Sequence, residues 1–413
     1  MNRSQLLDAA EIFGTPMYAY DLDAIRDRLE MLKGLFEGRF GVSYAIKANP
    51  NLDLMRALLP GLTTFDASSW GEVARAQTAG MPADRITFSG PAKRPREINK
   101  ALNAGIGELV LESIEEARFV SDAAQKIGRT QPVLLRINPL RVPRGFGASM
   151  AGTASQFGVD EEDMALGLEK LMCFEGLNLI GFHIYSGTNS RDPQAITDNF
   201  AIFADIFRKA QKITGIAPRR LVFGSGFGIS YLPDEDELDH AALPALINPI
   251  IDELKAENSF ANTRCSLELG RWLVGPYGWL LTGVISQKRS RGVEIRSCDA
   301  GFNNHLAACG MMGSVIRRNW IIDNISNPQG QVASYMLTGP LCTTIDRLAL
   351  NLELPQVRPG DVISVASSGA YGLTASPTRF ISHPEPREVV WDSGRWRDAT
   401  ERQMNTWDAE ICP

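Results

Sequence analysis

Short apolar segments alternate with amphipathic stretches through the first two thirds of the chain. Eight of the segments have the length of strands, and the Ala- and Glu-rich stretches between them, such as 70–79 and 114–127, have helical spacing. The eight segments are 42–48, 63–68, 85–90, 108–113, 133–139, 179–187, 221–226 and 265–270. Strands that alternate with helices in this number predict a (β/α)8 barrel.

The two ends of the chain follow a different pattern. Residues 15–21 read as one strand and residues 22–40 as an amphipathic helix. After residue 270, strand-like runs at 279–286, 294–297, 332–337 and 361–366 lack intervening helices. We therefore predict an α/β protein in which a TIM-like barrel of residues 25–270 is joined to an antiparallel β domain of residues 1–24 and 271–413.

Polar residues or glycines stand at the end of nearly every predicted barrel strand. The active site of a barrel gathers at these ends, so the pattern favours a barrel over a sandwich or a set of buried helices. An open doubly wound sheet usually carries its phosphate loop after the first strand, whereas the glycine-rich turn here follows the seventh. The residues are Lys47, Asp66, Ser89, Gly90, Glu112, Arg136, Asn138, His183, Ser186, Gly224, Ser225, Gly226, Glu268 and Arg271.

Lys47 is the candidate nucleophile. It follows the alternating apolar residues Val42, Tyr44 and Ile46, and the sequence Asn-Pro-Asn then ends the segment. Burial at the end of such a strand lowers the pKa of an ammonium group and makes the amine available to carbonyl compounds, including the aldehyde of pyridoxal phosphate. The alternative is a lysine whose charged end reaches the solvent at the rim of its strand.

Other strand ends offer groups that suit a phosphorylated pyridine cofactor. A turn rich in glycine lets the backbone approach a phosphate, and Gly270 with Arg271 adds an amide and a guanidinium. The turn consists of Gly224, Ser225, Gly226, Phe227 and Gly228. Glu268 would keep a pyridine nitrogen protonated, and His183 would lie against the ring. Ordinary ion pairs for Arg271 and Glu268, and a core position for His183, are the alternatives.

Composition excludes several classes of function. The chain has 413 residues, 44% of them hydrophobic, and a net charge of -6, which argues against a nucleic-acid-binding protein. It has no apolar run long enough to span a membrane and no signal-type N-terminus, so we expect a cytoplasmic protein. Cysteines at 173, 265, 298, 309, 342 and 412 have neither disulfide-framework nor zinc-ligand spacing. The Gly- and Ser-rich segment 140–158 is long enough for a lid or substrate loop, disorder without function being the alternative.

Ten motifs spread over nearly the whole chain resemble, in order, the fold-type III pyridoxal-phosphate decarboxylases, which act on diaminopimelate, ornithine or arginine and are related to alanine racemase. They are YAIKAN, FDASSWGE, FSGPAK, LLRINP, HIYSGTN, GSGFGI, ELGR, CDAGFN, GPLCTTID and SGAYG. The resemblance implies that Lys47 forms a Schiff base with pyridoxal 5'-phosphate, that Glu268 pairs with its pyridine nitrogen and that His183 stacks on its ring. The residues expected to hold the cofactor and its phosphate are Asp66, Arg136, Ser186, Gly224 to Gly228, Gly270, Arg271 and Tyr371.

The resemblance also implies a homodimer with shared active sites. Cys342, with the loop around it, would come from the partner subunit and act as a proton donor beside a cationic cofactor. Thr343 and Tyr371 would contact the substrate together with this thiol. In the diaminopimelate and ornithine enzymes an acidic residue follows the loop cysteine and binds the distal ammonium group, which the hydroxyl of Thr343 cannot neutralise.

The combination of GPLCTTID, SGAYGLTASP, HIYSGTN and the loop FGASMAGTASQFG makes the chain most similar to a subgroup that includes the butirosin-pathway decarboxylase of carrier-protein-bound glutamate and siderophore-pathway decarboxylases. Its members act on an amino acid conjugated through its distal end, so a carrier protein is a candidate partner. Diaminopimelate decarboxylation is one alternative. A racemase is another, although racemases place an arginine, not a carboxylate such as Glu268, against the pyridine nitrogen. A non-enzymatic homologue is the third, and the retention of Lys47, Glu268 and Cys342 argues against it.

Overall fold

A computed structural model describes residues 1–149, 151–311 and 318–401. The strands are β1 Met17–Asp21, β2 Phe40–Ala45, β3 Thr64–Ala67, β4 Ile86–Phe88, β5 Glu108–Leu111, β6 Gln131–Asn138, β7 Ala148–Ser149, β8 Val159–Asp160, β9 Leu177–Ile184, β10 Gly187–Thr188, β11 Arg220–Gly224, β12 Arg264–Leu269, β13 Gly278–Ser290, β14 Val293–Cys298, β15 Ile322–Asn324, β16 Val332–Thr338, β17 Arg347–Pro355, β18 Val362–Val365, β19 Arg387–Asp392 and β20 Arg395–Asp398. The α-helices are α1 Arg3–Phe13, α2 Leu22–Leu35, α3 Leu52–Leu58, α4 Trp70–Ala79, α5 Pro95–Ala104, α6 Ile114–Lys126, α7 Met164–Leu171, α8 Pro193–Thr214, α9 Leu243–Ala256 and α10 Arg271–Val274.

Eight parallel strands close into a barrel, as the sequence predicts. Their order is β2, β3, β4, β5, β6, β9, β11 and β12, and the pairing of β12 with β2 completes the circle. Each strand overlaps one of the eight predicted segments. Since parallel strands that share a sheet have their carboxyl ends on one side, the candidate residues meet at one mouth of the barrel.

A buried ion pair closes the opposite end of the barrel. Arg220 and Glu108 begin β11 and β5, and Nε of the arginine lies 3.1 Å from Oε2 of the glutamate. Thr64 accepts a hydrogen bond from Arg220 at 3.0 Å, and Thr87 donates one to Glu108 at 3.1 Å. All four side chains are buried, so this end is filled with paired polar groups and offers no opening.

The second sheet is formed by β1 near the start of the chain and by the strands that follow the barrel. Its order is β17, β16, β14, β13, β1, β19 and β20, with β18 paired to β13 and β15 paired to β18. The predicted antiparallel pairs are present, and β1 with β19 and β14 with β16 add parallel pairs, so the sheet is mixed. The strand predicted near Tyr18 does join this sheet, where it lies antiparallel to β13.

Several elements differ from the sequence prediction. Helix α2 ends at Leu35, five residues early, because Glu37 and Gly38 turn the chain with positive φ values of 52° and 76° and Phe40 already begins β2. Helix α1 was not predicted, although Asn2 caps it by accepting a hydrogen bond from the Gln5 amide. Strands β15, β17, β19 and β20 were also missed.

None of the helices formed by the described residues is long and apolar enough to cross a membrane. Of the predicted features, Cys412 and the end of the β domain beyond residue 401 lie outside the described residues.

Candidate active site

Lys47 lies just beyond β2, in a single 3-10 turn formed by Ile46–Ala48. Its two neighbours in the turn are buried, whereas the lysine side chain is exposed in the mouth of the barrel. The second sheet fixes this turn, since the amide of Tyr371 donates to the carbonyl of Ala48 at 2.9 Å and the Asn49 side chain donates to the Gly369 carbonyl at 2.9 Å. The lysine is therefore held where the barrel meets the second sheet.

The expectation of a lowered pKa for Lys47 is wrong for the protein alone. Desolvation by the surrounding protein lowers the pKa of Lys47, but electrostatic interactions with Tyr371, Glu268 and Asp66 outweigh it and raise the pKa above its ordinary value. Burial alone would lower the pKa of Lys47. The acidic groups that raise it come from other strands, which the sequence around Lys47 does not place beside it. The amine is therefore an ammonium ion, whose positive charge offsets the negative charge of the nearby buried carboxylates.

Glu268 on β12 and His183 on β9 form a buried pair that spans the intervening strand β11. Oε2 of the glutamate lies 2.7 Å from Nε2 of the histidine. Desolvation raises the pKa of Glu268, but His183, Lys47 and Arg136 outweigh it and lower the pKa below its usual value. Glu268 therefore remains a carboxylate at neutral pH.

Asp66 supplies a second carboxylate that has no hydrogen-bond partner among the described residues. Its side chain is 1% exposed at the end of β3, and both carboxylate oxygens are buried. Desolvation and the nearby Glu268 raise the pKa of Asp66 to about 8, while Lys47 opposes the shift. An unsatisfied buried carboxylate next to a lysine and a second acid is costly unless a further polar group completes the site.

The glycine-rich turn after β11 is packed too closely for side chains. A Cβ added at Gly224 would lie 2.3 Å from the Tyr185 ring, and one at Gly226 would lie 2.6 Å from the Phe146 ring. Gly226 also has a φ of 65°, in the region that favours glycine. The amides of Ser225 and Gly228 donate to the carbonyls of Glu268 and Ser190, so these two amides are not available to a phosphate.

Arg271 places its guanidinium group beside this turn. The arginine begins α10 directly after β12, donates to the Tyr231 hydroxyl and lies 4.7 Å from the centre of the Tyr371 ring. Its Nε is buried without a hydrogen-bond partner among the described residues. Gly270 permits the approach, since a Cβ there would lie 2.6 Å from that of Ala48.

One pocket brings six of the predicted cofactor-binding residues together, whereas Asp66, His183 and Glu268 are not among its lining residues. Its lining residues are Ala45, Lys47, Tyr185, Thr188, Ser225, Phe227, Leu269, Gly270, Arg271 and Tyr371. Tyr185 and Thr188 were not singled out from the sequence, although they belong to the motif HIYSGTN that carried His183 and Ser186. Lys47 lies 5.7 Å from the centre of the Tyr185 ring.

Two predicted cofactor contacts lie at the mouth but are engaged with other groups. Arg136 donates to Glu112 at 3.1 Å, and its guanidinium lies 4.3 Å from the centre of the Phe157 ring. The hydroxyl of Ser186 is buried and donates to the Asn199 side chain at 2.8 Å. These contacts fix the two side chains in place.

The described residues of the segment 140–158, which was predicted to be a lid or substrate loop and is called the lid below, contact the mouth of the barrel at two places. Its strand β7 pairs with β10, so Ala148 lies opposite Thr188. Phe146 packs against the glycine turn, and the amide of Gly158 donates to Glu112 at 2.8 Å. The segment is thus attached to the glycine turn at one place and to the Arg136 and Glu112 pair at another.

Cys342 and Thr343 lie in the loop that joins β16 to β17 of the second sheet. The thiol is exposed, and neither residue is among those that line the Lys47 pocket. Asp346 anchors the loop from within by accepting hydrogen bonds from the amides of Leu341 at 2.8 Å and Phe302 at 2.9 Å. The motifs GPLCTTID and CDAGFN are therefore joined through one buried carboxylate.

A lysine, a buried carboxylate and a glycine turn at the mouth of a barrel define an enzyme that binds a phosphorylated aldehyde cofactor. The sequence profile "Pyridoxal-dependent decarboxylase, pyridoxal binding domain" matches residues 22–275. The chain belongs to this family.

Similar proteins span nearly the whole chain. L-glutamyl-[BtrI acyl-carrier protein] decarboxylase from Niallia circulans is 31% identical over 403 residues, 94% of this chain and 93% of that protein. Diaminopimelate decarboxylase from Methanothermobacter thermautotrophicus is 30% identical over 96% of this chain and 91% of its own length. The crystal structure of diaminopimelate decarboxylase from Helicobacter pylori complexed with L-lysine matches with a TM-score of 0.85 and 27% identity, covering 99% of both chains.

The site residues fit pyridoxal phosphate, the cofactor of this family. The unsatisfied carboxylate of Asp66, the unpaired Nδ1 of His183 and the unpaired Nε of Arg271 are buried polar atoms that a polar ligand would complete. Two residues of the glycine turn, Ser225 and Phe227, line the same pocket as Lys47 and Arg271. The protein is a pyridoxal-phosphate-dependent amino-acid decarboxylase, a carboxy-lyase.

Proposed function

We propose that the substrate is an L-amino acid joined through its distal end to a larger group, either a carrier protein or a siderophore-type intermediate. The observation that carries this proposal is that the described loop around Cys342 offers no free carboxylate. Thr343 follows the cysteine, and the next acid in the loop, Asp346, turns inward and binds two backbone amides. A neutral distal group needs no carboxylate at this position, whereas a free ammonium group does.

The side chains suggest how the cofactor would be held. Lys47 would bind it through its amine, Glu268 would pair with the pyridine nitrogen and His183 would lie against the ring. The turn from Gly224 to Gly228, with Arg271 and Tyr371, would hold the phosphate. When bound, pyridoxal phosphate supplies an electron sink for the electron pair released by loss of carbon dioxide.

The remaining chemistry concerns one proton at the α-carbon of the product. Cys342 of the partner subunit is the proposed donor, because its thiol is exposed and Ile345 beside it exposes 55% of its surface. An exposed apolar residue next to the thiol suits a contact between subunits. The proposal therefore includes a homodimer in which each site is completed by the loop of the other chain.

The experiment is mass spectrometry of the products formed by the cofactor-loaded protein. Free diaminopimelate, ornithine, lysine, arginine and glutamate are offered separately, together with a glutamyl-carrier-protein conjugate. Loss of carbon dioxide from the conjugate alone is the expected result. Efficient turnover of a free diamino acid would overturn the proposal.

Diaminopimelate decarboxylation is the second candidate, because diaminopimelate decarboxylases are among the relatives at nearly the same identity. In the same experiment, it predicts lysine as the main product. The two candidates share the cofactor site and differ only in how the distal end of the substrate is bound.

A further inference from the structure

A cavity of about 270 Å³ lies next to the Lys47 pocket. We call it the distal cavity. Its wall includes Ala148 of the lid, Thr188, Tyr231, Ala307 and Trp320. Barrel, lid and second sheet therefore all contribute to it.

The distal cavity continues the Lys47 pocket. Thr188, Arg271 and Tyr371 line both spaces, so a molecule whose amino-acid end lies near Lys47 has its other end directed toward the distal cavity. A free amino acid of the size of glutamate does not need this additional volume. A longer substrate does.

The described charges that line the distal cavity are already engaged. Glu235 lies 2.9 Å from Arg191 and accepts hydrogen bonds from the amides of Tyr231 and Leu232. Arg271 donates to the neutral Tyr231 hydroxyl and is the residue proposed to hold the cofactor phosphate. Among the described residues of this wall, neither group is left to neutralise a distal ammonium or carboxylate group, so a charged substrate end would be desolvated there without compensation.

The rest of the wall suits a neutral chain. The rings of Tyr231 and Trp320 have centres 4.3 Å apart and form an aromatic surface. Gly147, Ala148, Ala307 and Ala370 add small side chains or none, and Thr188 adds a hydroxyl group. Extended amide or thioester groups combine apolar segments with single hydrogen-bonding atoms, which is what such a wall can accommodate.

We propose that the distal cavity binds the linker of the conjugated substrate, a neutral chain of thioester and amide groups attached to the distal carboxyl of the amino acid. The inference rests on the proposed function and adds the place where the linker is bound.

The test compares two γ-glutamyl thioesters that differ only in length, the methyl thioester and the N-acetylcysteamine thioester. The added chain buries one further methylene, one amide and one methyl group, so we expect kcat/KM to be about tenfold higher for the longer thioester. Ala307→Phe fills part of the cavity and should reduce this preference to less than about twofold. Ala148→Phe, on the exposed lid strand, provides a second variant in case the first does not fold.

Ala333→Phe is the matched control, because Ala333 is exposed on β16 and does not line the distal cavity. It should keep the tenfold preference. The absorbance of bound cofactor and the thermal unfolding midpoint establish that each variant is folded and loaded.

Two failures are distinguishable. If both thioesters are decarboxylated but length has no effect, or the preference survives in Ala307→Phe and Ala148→Phe, the distal cavity does not bind the linker and the proposed function stands. If neither thioester is decarboxylated while free diaminopimelate is, the proposed function fails and the inference fails with it.

Discussion

At the scale of single residues, the mouth of the barrel contains groups of opposite charge close together. Lys47 interacts electrostatically with Glu268 and Asp66, and the two acids respond in opposite ways because only Glu268 has a histidine partner. The pKa of Asp66 is raised and that of Glu268 is lowered. One carboxylate thus stays ionised while the other can hold a proton near pH 7.

Replacing Lys47 tests its assignment as the amine that binds the cofactor. Lys47→Ala should abolish turnover and the absorption band of the lysine-bound cofactor, since no other residue in the pocket has an amine. Lys47→Arg is the control, because it keeps the positive charge without a nucleophilic amine, and it should be equally inactive. Near-normal turnover in either variant would remove Lys47 from the chemistry.

A half-buried acid outside the active site, Glu388, predicts a pH effect on stability. Burial raises the pKa of Glu388 to about 7, although the Tyr20 hydroxyl, which donates to it at 2.9 Å, opposes the shift. The protonated form is favoured in the folded state, so this stabilisation is present below the unfolded pKa of about 4.3 and is lost as the pH rises to 7. The lost contribution is at most about 4 kcal/mol.

Glu388→Gln should therefore reduce the fall in unfolding free energy between pH 5 and pH 8, measured by denaturant titration. Glu353→Gln, which replaces an exposed acid on β17, is the control and should leave the pH profile as it is in the natural protein. An unchanged profile for Glu388→Gln would show that this carboxyl group does not titrate in that range.

At the scale of elements, the glycine turn and the lid meet at Phe146. The turn can pass under this ring only because Gly226 has no side chain. Gly226→Ala should raise the dissociation constant of pyridoxal phosphate by at least about tenfold, because a methyl group would displace the ring or the turn. The absorbance of bound cofactor measures the change.

Gly128→Ala is the matched control for backbone strain. Gly128 has the same φ of 65°, but a Cβ there would meet nothing within 4 Å. If both variants bind the cofactor equally well, the close contact with Phe146 has no role in forming the turn.

Elements whose hydrophobic pattern has a single period were predictable from the sequence. The barrel strands and α4 fall where apolar segments and helical spacing place them. Strand β17 has the same alternating pattern, with Leu348, Leu350, Leu352 and Leu354, so the sequence contains the information that predicts it. Strand β19 depends on pairing with β1, more than 360 residues away in the chain, and β20 pairs in turn with β19, which no local pattern shows.

The site was predictable in its residue types but not in its electrostatics. Motifs located Lys47, Glu268 and Arg271 at strand ends, and the structure brings Lys47 and Arg271 into one pocket. The pKa shift of Lys47 was predicted with the wrong sign, because it depends on carboxylates from other strands. Trp320 in the distal cavity had no local signal either, since its position follows from how the second sheet packs against the barrel.

At the scale of the whole molecule, the proposed dimer divides each active site between two chains. Lys47 and Cys342 would then act in the same site while belonging to different subunits. Mixing Lys47→Ala subunits with Cys342→Ala subunits should restore activity, because a hybrid dimer contains one site with both natural residues. Random exchange makes half of the dimers hybrid, so about one quarter of the natural activity is expected.

Each variant refolded with itself is the control for the mixing experiment and should stay at its own low activity. If the mixture regains no activity although native mass spectrometry detects hybrid dimers, Cys342 does not act in a site shared between the subunits.

The central claim is that this decarboxylase prefers a conjugated amino acid to a free one. The most direct measurement is a competition in one vessel between unlabelled diaminopimelate and the N-acetylcysteamine γ-thioester of glutamate with ¹³C in its α-carboxyl group. At equal concentrations, the ratio of labelled to unlabelled carbon dioxide at early times equals the ratio of the two kcat/KM values. The account predicts that labelled carbon dioxide predominates. A predominance of unlabelled carbon dioxide would contradict it and would identify diaminopimelate as the preferred substrate of the two.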